Sequence, residues 1–346
     1  MPSLLPRLWY PIFLSPMLGV VTPKMVAGVS EGGGLGGLPL GSLSREKAHQ
    51  LITETKKLTN KIFAVNLFTN AEPDLDKNQE AIDKMRIFIS EILVQKKWAG
   101  NLDFEYHFYS YPDLIDLIIE EGVQAVSFTF GMLNEASVRK LKAHNISLIG
   151  TATCAEEARL IESSGADMIV AQGIEAGGHR ATFVDGELPQ IKLIPLLNEI
   201  TKTVKIPVVA AGGIYDESTM NAAFQAGAKG VQIGSYFIPA KESLASDTYR
   251  KILKGSTENS TTLTKSFSGR WARGIKNEFI KMTEGMDVPD YPIQNILTRE
   301  MRNLAKSHND YEYTSLWAGQ NAGFAKTGTT SQIMDELIHI YKTIKH

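Results

Sequence analysis

The chain has 346 residues, 43% of them hydrophobic and 21% charged, with a formal net charge of −2. A net charge so close to zero does not predict binding to nucleic acid, and no run of basic residues suggests attachment to a membrane. The single cysteine, Cys154, excludes an intramolecular disulfide and a cysteine-rich metal site, so no metal is predicted. No apolar run is long enough to span a membrane, and the N-terminal segment resembles the lead-in to a strand more than a signal peptide, so we expect a cytoplasmic protein.

Short apolar runs alternate with longer amphipathic stretches over residues 8–235. The runs predict buried parallel strands at 11–17, 35–40, 61–68, 124–131, 146–152, 167–173, 207–213 and 230–235. The stretches predict helices at 23–31, 44–58, 112–121, 133–144, 155–164, 189–203 and 216–226. Thr22 is the expected N-cap of the first helix, and the second helix opens with Ser44. The alternation predicts a (β/α)8 TIM barrel, with an open doubly wound sheet as the alternative.

Two regions interrupt this alternation. Residues 69–111 are too long for a simple connection and contain a predicted helix at about 75–96. After the eighth strand, residues 240–312 predict a lid or small accessory domain with a helix at 293–307. We therefore expect a barrel over 1–239, the accessory domain over 240–312, and a C-terminal segment, 313–346. The helix of this last segment, about 329–344, could pack back on the barrel.

Small residues and amides cluster at the predicted carboxyl ends of the strands, where barrels of this type carry their active sites. The seventh and eighth strands end in AAGGI and QIGS, so glycine N–H groups, with the Ser235 hydroxyl, could bind a phosphate. Tight turns also favour glycine, but two such turns on adjacent final strands favour phosphate binding. Gly32, Gly34 and Gly37 formally match GxGxxG, but a helix precedes them and a strand follows, so we reject a dinucleotide site.

The loop after the sixth strand, QGIEAGGHR, places His179 over the predicted barrel mouth. Histidine is well suited to proton exchange near neutral pH, although a lone histidine is often structural. Arg180 could hold an anion or lie at the surface. The role of Glu175 is equally open, because a short ion pair between Glu175 and Arg180 would satisfy the charges of both residues.

Two further features have competing interpretations. Cys154 lies early in a predicted helix, where its pKa could be lowered, but we favour a packing role. Arg270, Arg273 and Lys276 form a basic stripe in the accessory segment. A solvated face is the favoured interpretation, and contact with a ligand phosphate or an anionic substrate is the alternative.

Several motifs together resemble class I nitronate monooxygenases, formerly called 2-nitropropane dioxygenases. They run in the family's order from about residue 11 to 320: PMLGVVTPKMVAGVSEGGGLGGL, FAVNLF, GTATCAEEAR, AQGIEAGGHRATF, IPVVAAGGI, GVQIGSYF, SGRWARGIKNEF and LWAGQ. One departure is visible, since the family commonly has glycine after His-Arg and this chain has Ala181. The methyl group of Ala181 could tighten the pocket, so this departure affects the expected size of the substrate more than the expected chemistry.

The resemblance implies a barrel that binds FMN beneath a small closing domain, with His179 as the catalytic residue. It places the FMN contacts on Asn66, Gln172, Gly177, Gly213, Gln232, Ile233, Gly234 and Ser235. The implied activity is oxidative denitrification of alkyl nitronates such as propionate 3-nitronate, with O2, to a carbonyl compound and nitrite. We also consider a homodimer.

Two alternative functions stay open. One is an NAD(P)H-dependent flavin reductase of the same superfamily, either an enoyl-ACP reductase or a quinone reductase. The other is a non-enzymatic barrel that carries or senses a phosphorylated ligand.

Overall fold

The computed structural model describes residues 4–102 and 105–344. Its main sheet contains parallel strands that are buried on both faces, as the continuous apolar runs predicted. In chain order they are β1 (Ile12–Leu14), β2 (Gly36–Pro39), β3 (Phe63–Phe68), β4 (Ala125–Thr129), β5 (Ser147–Ala152), β6 (Met168–Gln172), β8 (Val208–Ala211) and β9 (Gly230–Ile233). A short strand, β7 (Gly178–His179), belongs to a second sheet.

The main sheet closes on itself. Its strands follow the order β1-β9-β8-β6-β5-β4-β3-β2, and a parallel bridge between Phe13 and Leu35 joins β1 to β2. Leu14 N donates to Leu35 O, and Leu35 N donates to Ile12 O, each at 2.9 Å. The predicted (β/α)8 barrel is therefore confirmed, and the open-sheet alternative is wrong.

Helices cover the barrel where the amphipathic stretches predicted them. They are α1 (Pro23–Glu31), α2 (Arg45–Lys56), α3 (Leu75–Lys96), α4 (Pro112–Glu120), α5 (Glu135–Ala143), α6 (Ala155–Ser163), α7 (Leu193–Thr203) and α8 (Glu217–Gln225). Thr22 caps α1 by accepting from a backbone N–H group, as predicted. Ser44 caps α2 in the same way. Gly32 is the C-cap of α1, and Gly33 follows with a φ of +85°, so the rejection of a dinucleotide loop is confirmed.

The segment after the barrel forms a small sheet and several short helices. It contains α9 (Asp247–Lys254), β10 (Thr261–Thr264), β11 (Ala272–Ile275), α10 (Glu278–Met282), α11 (Ile293–Leu297) and α12 (Arg299–Ser307). Strand β11 pairs antiparallel with β10 and with β7, in which His179 lies. The helix predicted at 293–307 is wrong in one respect. It is interrupted at the buried Thr298, whose hydroxyl donates to Phe267 O at 2.7 Å.

The insertion and this segment share a hydrophobic core. Apolar residues of α3, including Ile82 and Ile89, cluster with Phe267, Phe279 and Met301. The two predicted interruptions of the barrel thus build one structure above its mouth. The last helix, α13 (Thr330–Thr343), packs against α1 and α8 on the barrel. Over the described ranges, no helix is both long enough and apolar enough to cross a membrane.

Candidate active site

A cavity of about 690 Å³ opens at the carboxyl ends of the barrel strands. Its lining includes the strand ends, the loop after β6, and residues from the insertion and from α12. It also brings together all the site residues predicted from the sequence, namely Asn66, Gln172, Gly177, His179, Gly213, Gln232, Ile233, Gly234 and Ser235.

His179 lies where the barrel and the second sheet meet. Its backbone pairs with Ala272 of β11, and its Nε2 lies 2.8 Å from the Ser268 hydroxyl. Aromatic rings surround the imidazole, with ring centroids 5.4 Å away for Trp317 and 5.7 Å away for both Phe130 and Tyr291. The sequence predicted His179 at the mouth but not Ser268, Tyr291 or Trp317. Their approach depends on contacts between distant parts of the chain.

The imidazole is held in its neutral form. Burial, and then the positive charges of Arg270 and Arg302, lower the pKa of His179 to about 3. A neutral imidazole has one N–H donor and one basic nitrogen at physiological pH. His179 is therefore unprotonated at neutral pH, and because so low a pKa makes it a weak base, a proton that it accepts must be stabilised by a negative charge beside the ring.

The loop that carries His179 is braced by Gln172 and Arg180. Gln172 donates to His179 O and accepts from Ala181 N, each at 3.0 Å. Arg180 is fully buried and donates to the carbonyls of Gly173 and Gln172. Burial lowers the pKa of Arg180 to about 10, which leaves it charged at neutral pH. Arg180 is therefore neither a surface residue nor, in this structure, a free anion site.

Glu175 does not form the short ion pair that would have satisfied it and Arg180. Both of its carboxylate oxygens accept from Leu193 N, at 3.1 and 3.0 Å, at the start of α7. A carboxylate there is favoured by the unpaired N–H groups of the first helical turn. Its contribution is to anchor the loop to α7.

A second carboxylate, that of Glu157, is fully buried and holds the far end of the same loop. Its oxygens accept from the backbone and hydroxyl of Thr153, from the Thr182 hydroxyl, and from Phe183 N. The contacts tie the loop to the end of β5. Nothing in the sequence pattern distinguished Glu157 from an exposed helical glutamate.

The favoured interpretation of the basic stripe is wrong for two of its three residues. Lys276 is exposed, but Arg273 is buried and donates to Ile174 O and the Thr261 hydroxyl. Arg270 donates to Thr182 O, and its Cζ lies 4.2 Å from the centre of the Phe130 ring. Both arginines therefore tie the accessory segment to the loop of His179, since Ile174 and Thr182 lie on either side of that residue. They reinforce the pairing of β11 with β7.

Backbone atoms dominate the opposite side of the cavity. Gly213 has a φ of +71°, and a side chain at Gly177 would place its Cβ 2.4 Å from Gly319 N. No hydrogen bond within the described part of the chain uses the N–H groups of Gly213, Gly234 or Ser235. The Ser235 hydroxyl accepts from Gly319 N at 2.9 Å, which leaves its own proton available to a ligand. This arrangement can bind an anion through N–H and O–H donors.

Asn66 lies within β3 and lines the same cavity. It is buried, and its Nδ2 donates to the hydroxyls of Ser127 and Thr129 at 3.0 and 3.2 Å. Its Oδ1 has no donor within the described residues, so it can accept from a ligand in the cavity. Asn66 can therefore present one oriented amide oxygen to the polar edge of a ring.

Cys154 is the N-cap of α6 and is absent from the cavity lining. Burial raises the pKa of its thiol, so the helix terminus does not activate it. The predicted packing role agrees with this environment. Among the described residues, no group of three or more His, Cys, Asp or Glu side chains is arranged to hold a metal ion.

A set of cations on α12 was missed. Arg299, Arg302 and Lys306 all line the cavity. Their spacing of three and four residues places them on one face of a helix, which the sequence alone could have shown. Which face turns toward the cavity was not visible in the sequence.

The chain is similar to known proteins over nearly its whole length. Residues 4–339 match the family model described as nitronate monooxygenase. A probable nitronate monooxygenase of Staphylococcus aureus strain MRSA252 is 40% identical over 338 residues, which cover 95% of this chain and 94% of the relative.

Solved structures give the same picture. Nitroalkane oxidase from Streptomyces ansochromogenes superposes with a TM-score of 0.91 at 30% identity, covering 99% of this chain and 98% of the other. FabK from Thermotoga maritima superposes with a TM-score of 0.75 at 28% identity, covering 98% and 94%. The resemblance drawn from the motifs is thereby confirmed, and this chain is an oxidoreductase that belongs to the nitronate monooxygenase family.

Proposed function

We propose that this protein catalyses the FMN-dependent oxidative denitrification of alkyl nitronates such as propionate 3-nitronate, using O2. The products would be a carbonyl compound and nitrite. The observation that carries the proposal is that one cavity holds both a neutral histidine and a cradle of unpaired N–H groups. The first suits proton chemistry at carbon, and the second suits the phosphate of a mononucleotide.

The residues around the cavity fit FMN. Gly213, Gly234 and Ser235 would hold the phosphate, because their N–H groups have no other partner in the described chain. Asn66 and Gln172 would meet the polar edge of the flavin ring, and Gly177 lies where a side chain would collide with Gly319. A cavity of about 690 Å³ is within the range typical of cofactor sites.

FMN, when bound, supplies the electron transfer from the nitronate to O2. The protein's own contribution is orientation and control of one proton. The Ser268 hydroxyl donates to Arg270 O at 3.1 Å, and its oxygen accepts from Arg270 N at 3.4 Å. Its only proton is thus used, so toward Nε2 of His179, 2.8 Å away, Ser268 would be the acceptor. That tautomer, with the proton on Nε2, leaves the lone pair on Nδ1.

Nδ1 of His179 would then remove the α-proton when a neutral nitroalkane binds. With a nitronate, which has already lost that proton, the imidazole would orient the substrate rather than act as a base. The aromatic rings of Phe130, Tyr291 and Trp317 pack around the imidazole and would limit its contact with water. Because the imidazole acts as a base toward a nitroalkane and only orients a nitronate, turnover of the two substrate forms should respond differently to changes at His179.

An absorbance spectrum of the purified protein, followed by O2 uptake with propionate 3-nitronate and separately with NADH, tests the proposal. We expect a flavin spectrum, and O2 uptake with release of nitrite that needs no NADH. Rapid bleaching of the flavin by NADH would instead favour a flavin reductase. Protein that stays colourless after FMN is added would exclude both flavin activities and favour a carrier or sensor of a phosphorylated ligand.

A further inference from the structure

The backbone is strained at one aromatic residue of the cavity lining. Phe130, which directly follows β4, has a φ of +79°, a conformation that bulky L residues rarely adopt. Five non-glycine residues of the described chain have a positive φ, and three of them follow helices, where a left-handed residue is common. Of the other two, Ser42 is small, whereas Phe130 is aromatic and buried. Such strain persists only where the surroundings hold it in place.

Contacts on several sides of its ring hold Phe130 in this conformation. The ring centroid lies 4.5 Å from that of Phe68 and 5.6 Å from that of Tyr291. The guanidinium carbon of Arg270 lies 4.2 Å from it, over the ring. The imidazole of His179 is 5.7 Å away, at 79° to the ring. One side chain of the barrel thus contacts the accessory segment and the imidazole together.

Arg270 has little else to support its charge. Within residues 4–102 and 105–344 it forms no ion pair, and its Nε is buried without a hydrogen-bond partner. Its Nη2 donates to Thr182 O. The face of an aromatic ring attracts a cation, and the attraction is stronger where water is excluded. The ring of Phe130 is therefore a main support of this guanidinium.

Arg270 in turn holds the partner of the imidazole. Its backbone O accepts from the Ser268 hydroxyl at 3.1 Å, and its N–H donates to Ser268 Oγ at 3.4 Å. That hydroxyl lies 2.8 Å from Nε2 of His179. The Arg270 side chain also holds Thr182, which follows His179 by three residues in the same loop. A displaced Arg270 would disturb both the ring and the loop of His179.

We propose that Phe130 is a positioning residue, whose strained backbone fixes its ring so that the ring holds His179 both directly and through Arg270. The inference rests on the proposed function, since the orientation of the imidazole matters most when Nδ1 removes the α-proton of a nitroalkane. A base misplaced by about 1 Å can lose roughly 10²-fold in rate. A nitronate has already lost that proton, so its oxidation should depend less on Phe130.

The first test removes the ring and keeps an apolar side chain. Phe130→Leu should lower kcat for 2-nitropropane by roughly 10- to 100-fold, while KM and the turnover of its nitronate change less than about threefold. The matched control is Phe128→Leu on the same strand, since Phe128 is buried in the barrel core outside the cavity lining. This control should lose stability and keep wild-type rates.

The second test changes the charge distribution of the ring but hardly its size. Phenylalanines with one, two and three ring fluorines at position 130 weaken the attraction for a cation step by step. We expect kcat for 2-nitropropane to fall in steps, by about fivefold with three fluorines. Imidazole 15N shifts should show a growing fraction of His179 with its proton on Nδ1. The same series at position 128 should change neither quantity.

The third test concerns the strain itself. Phe130→Ala and Phe130→Gly both remove the ring, but only glycine adopts a positive φ without cost. We expect the glycine variant to have the higher Tm, the reverse of the usual order for this pair. An equal or lower Tm for the glycine variant would overturn the claim that the backbone is strained.

Equal rate losses in Phe130→Leu and Phe128→Leu, or a fluorinated series with constant kcat and constant 15N shifts, would overturn the inference and leave the proposed function intact. If the protein oxidises neither nitroalkanes nor nitronates, the proposed function fails, yet the 15N shifts still decide the role of Phe130. Shifts that follow the number of fluorines would support that role, and shifts that do not would overturn it.

Discussion

The two sides of the cavity differ in what they present to a ligand. The side formed by the ends of β8 and β9, with Gly177, presents backbone N–H groups and small residues. The side formed by the His179 loop and α12 presents an imidazole and three cations. A substitution at a glycine of the first side adds atoms that collide with neighbouring backbone. On the second side, one side chain can be exchanged for another without moving the backbone. The first side should therefore tolerate little change, and the second should allow new specificities.

The largest effect is expected at Gly177 on the backbone side. In Gly177→Val, the new Cβ would lie 2.4 Å from Gly319 N and 2.5 Å from Ala318 C. We expect the free energy of unfolding to fall by about 1–3 kcal/mol and FMN retention to be lost. Gly122→Ala is the control, since Gly122 has a φ of +65° but open space around it. Loss of flavin from both variants alike would contradict a specific role for Gly177.

The next effect is expected at His179 on the side-chain side. His179→Asn should spare FMN binding and slow turnover of neutral nitroalkanes by roughly 10²–10⁴-fold, because the proton acceptor is removed. Preformed nitronates should lose much less. Steady-state rates with 2-nitropropane and with its nitronate measure the difference. If both rates match those of the wild type, His179 has no part in the mechanism.

A smaller effect is expected at Ser268, which contacts the imidazole rather than the substrate. Ser268→Ala should lower kcat for neutral nitroalkanes by about tenfold with little change in KM, because the tautomer is no longer fixed. Ser266→Ala is the matched control, since this buried serine bonds Thr264 and Thr283 instead. Imidazole 15N shifts should show protonated Nε2 in the wild type. A spectrum with the proton on Nδ1 would refute the assignment.

The last effect is expected on stability rather than on turnover, and it depends on pH. Because the pKa of His179 is about 3, its imidazole should not titrate between pH 5 and 8, as NMR can measure. In the unfolded chain the same residue has a pKa near 6.5, so between about pH 6.5 and 3 the unfolded state binds one more proton. His179 should thus reduce stability as the pH falls through this window. The stability of His179→Asn relative to the wild type should rise on acidification, and a constant difference would contradict the low pKa.

The sequence predicted the backbone side better than the side-chain side. Gly213, Gly234 and Ser235 follow strands with a clear apolar pattern, and barrel topology brings neighbouring strand ends together. His179 was found because its loop is rich in glycine and follows a strand. By contrast, β7 pairs with β11 across more than ninety residues, and a strand of two residues has no recognisable period.

The charged residues show the same limit. The helix containing Arg299, Arg302 and Lys306 was predicted, but its orientation depends on the core it shares with α3. Arg270 and Arg273 looked like a solvated stripe because nothing local distinguishes a buried arginine from an exposed one. Their partners are carbonyl oxygens of the His179 loop, which only the folded chain brings near.

Because β7 pairs with β11, two distant parts of the chain hold the loop of His179 in place. A polypeptide ending at residue 239 would contain His179 yet lack Ala272 and Ser268, which fix its backbone and its ring. Such a fragment could close its barrel without forming a competent site. Conversely, a different accessory segment would change the surroundings of His179 while leaving every barrel strand in place. The same barrel could then accept different substrates.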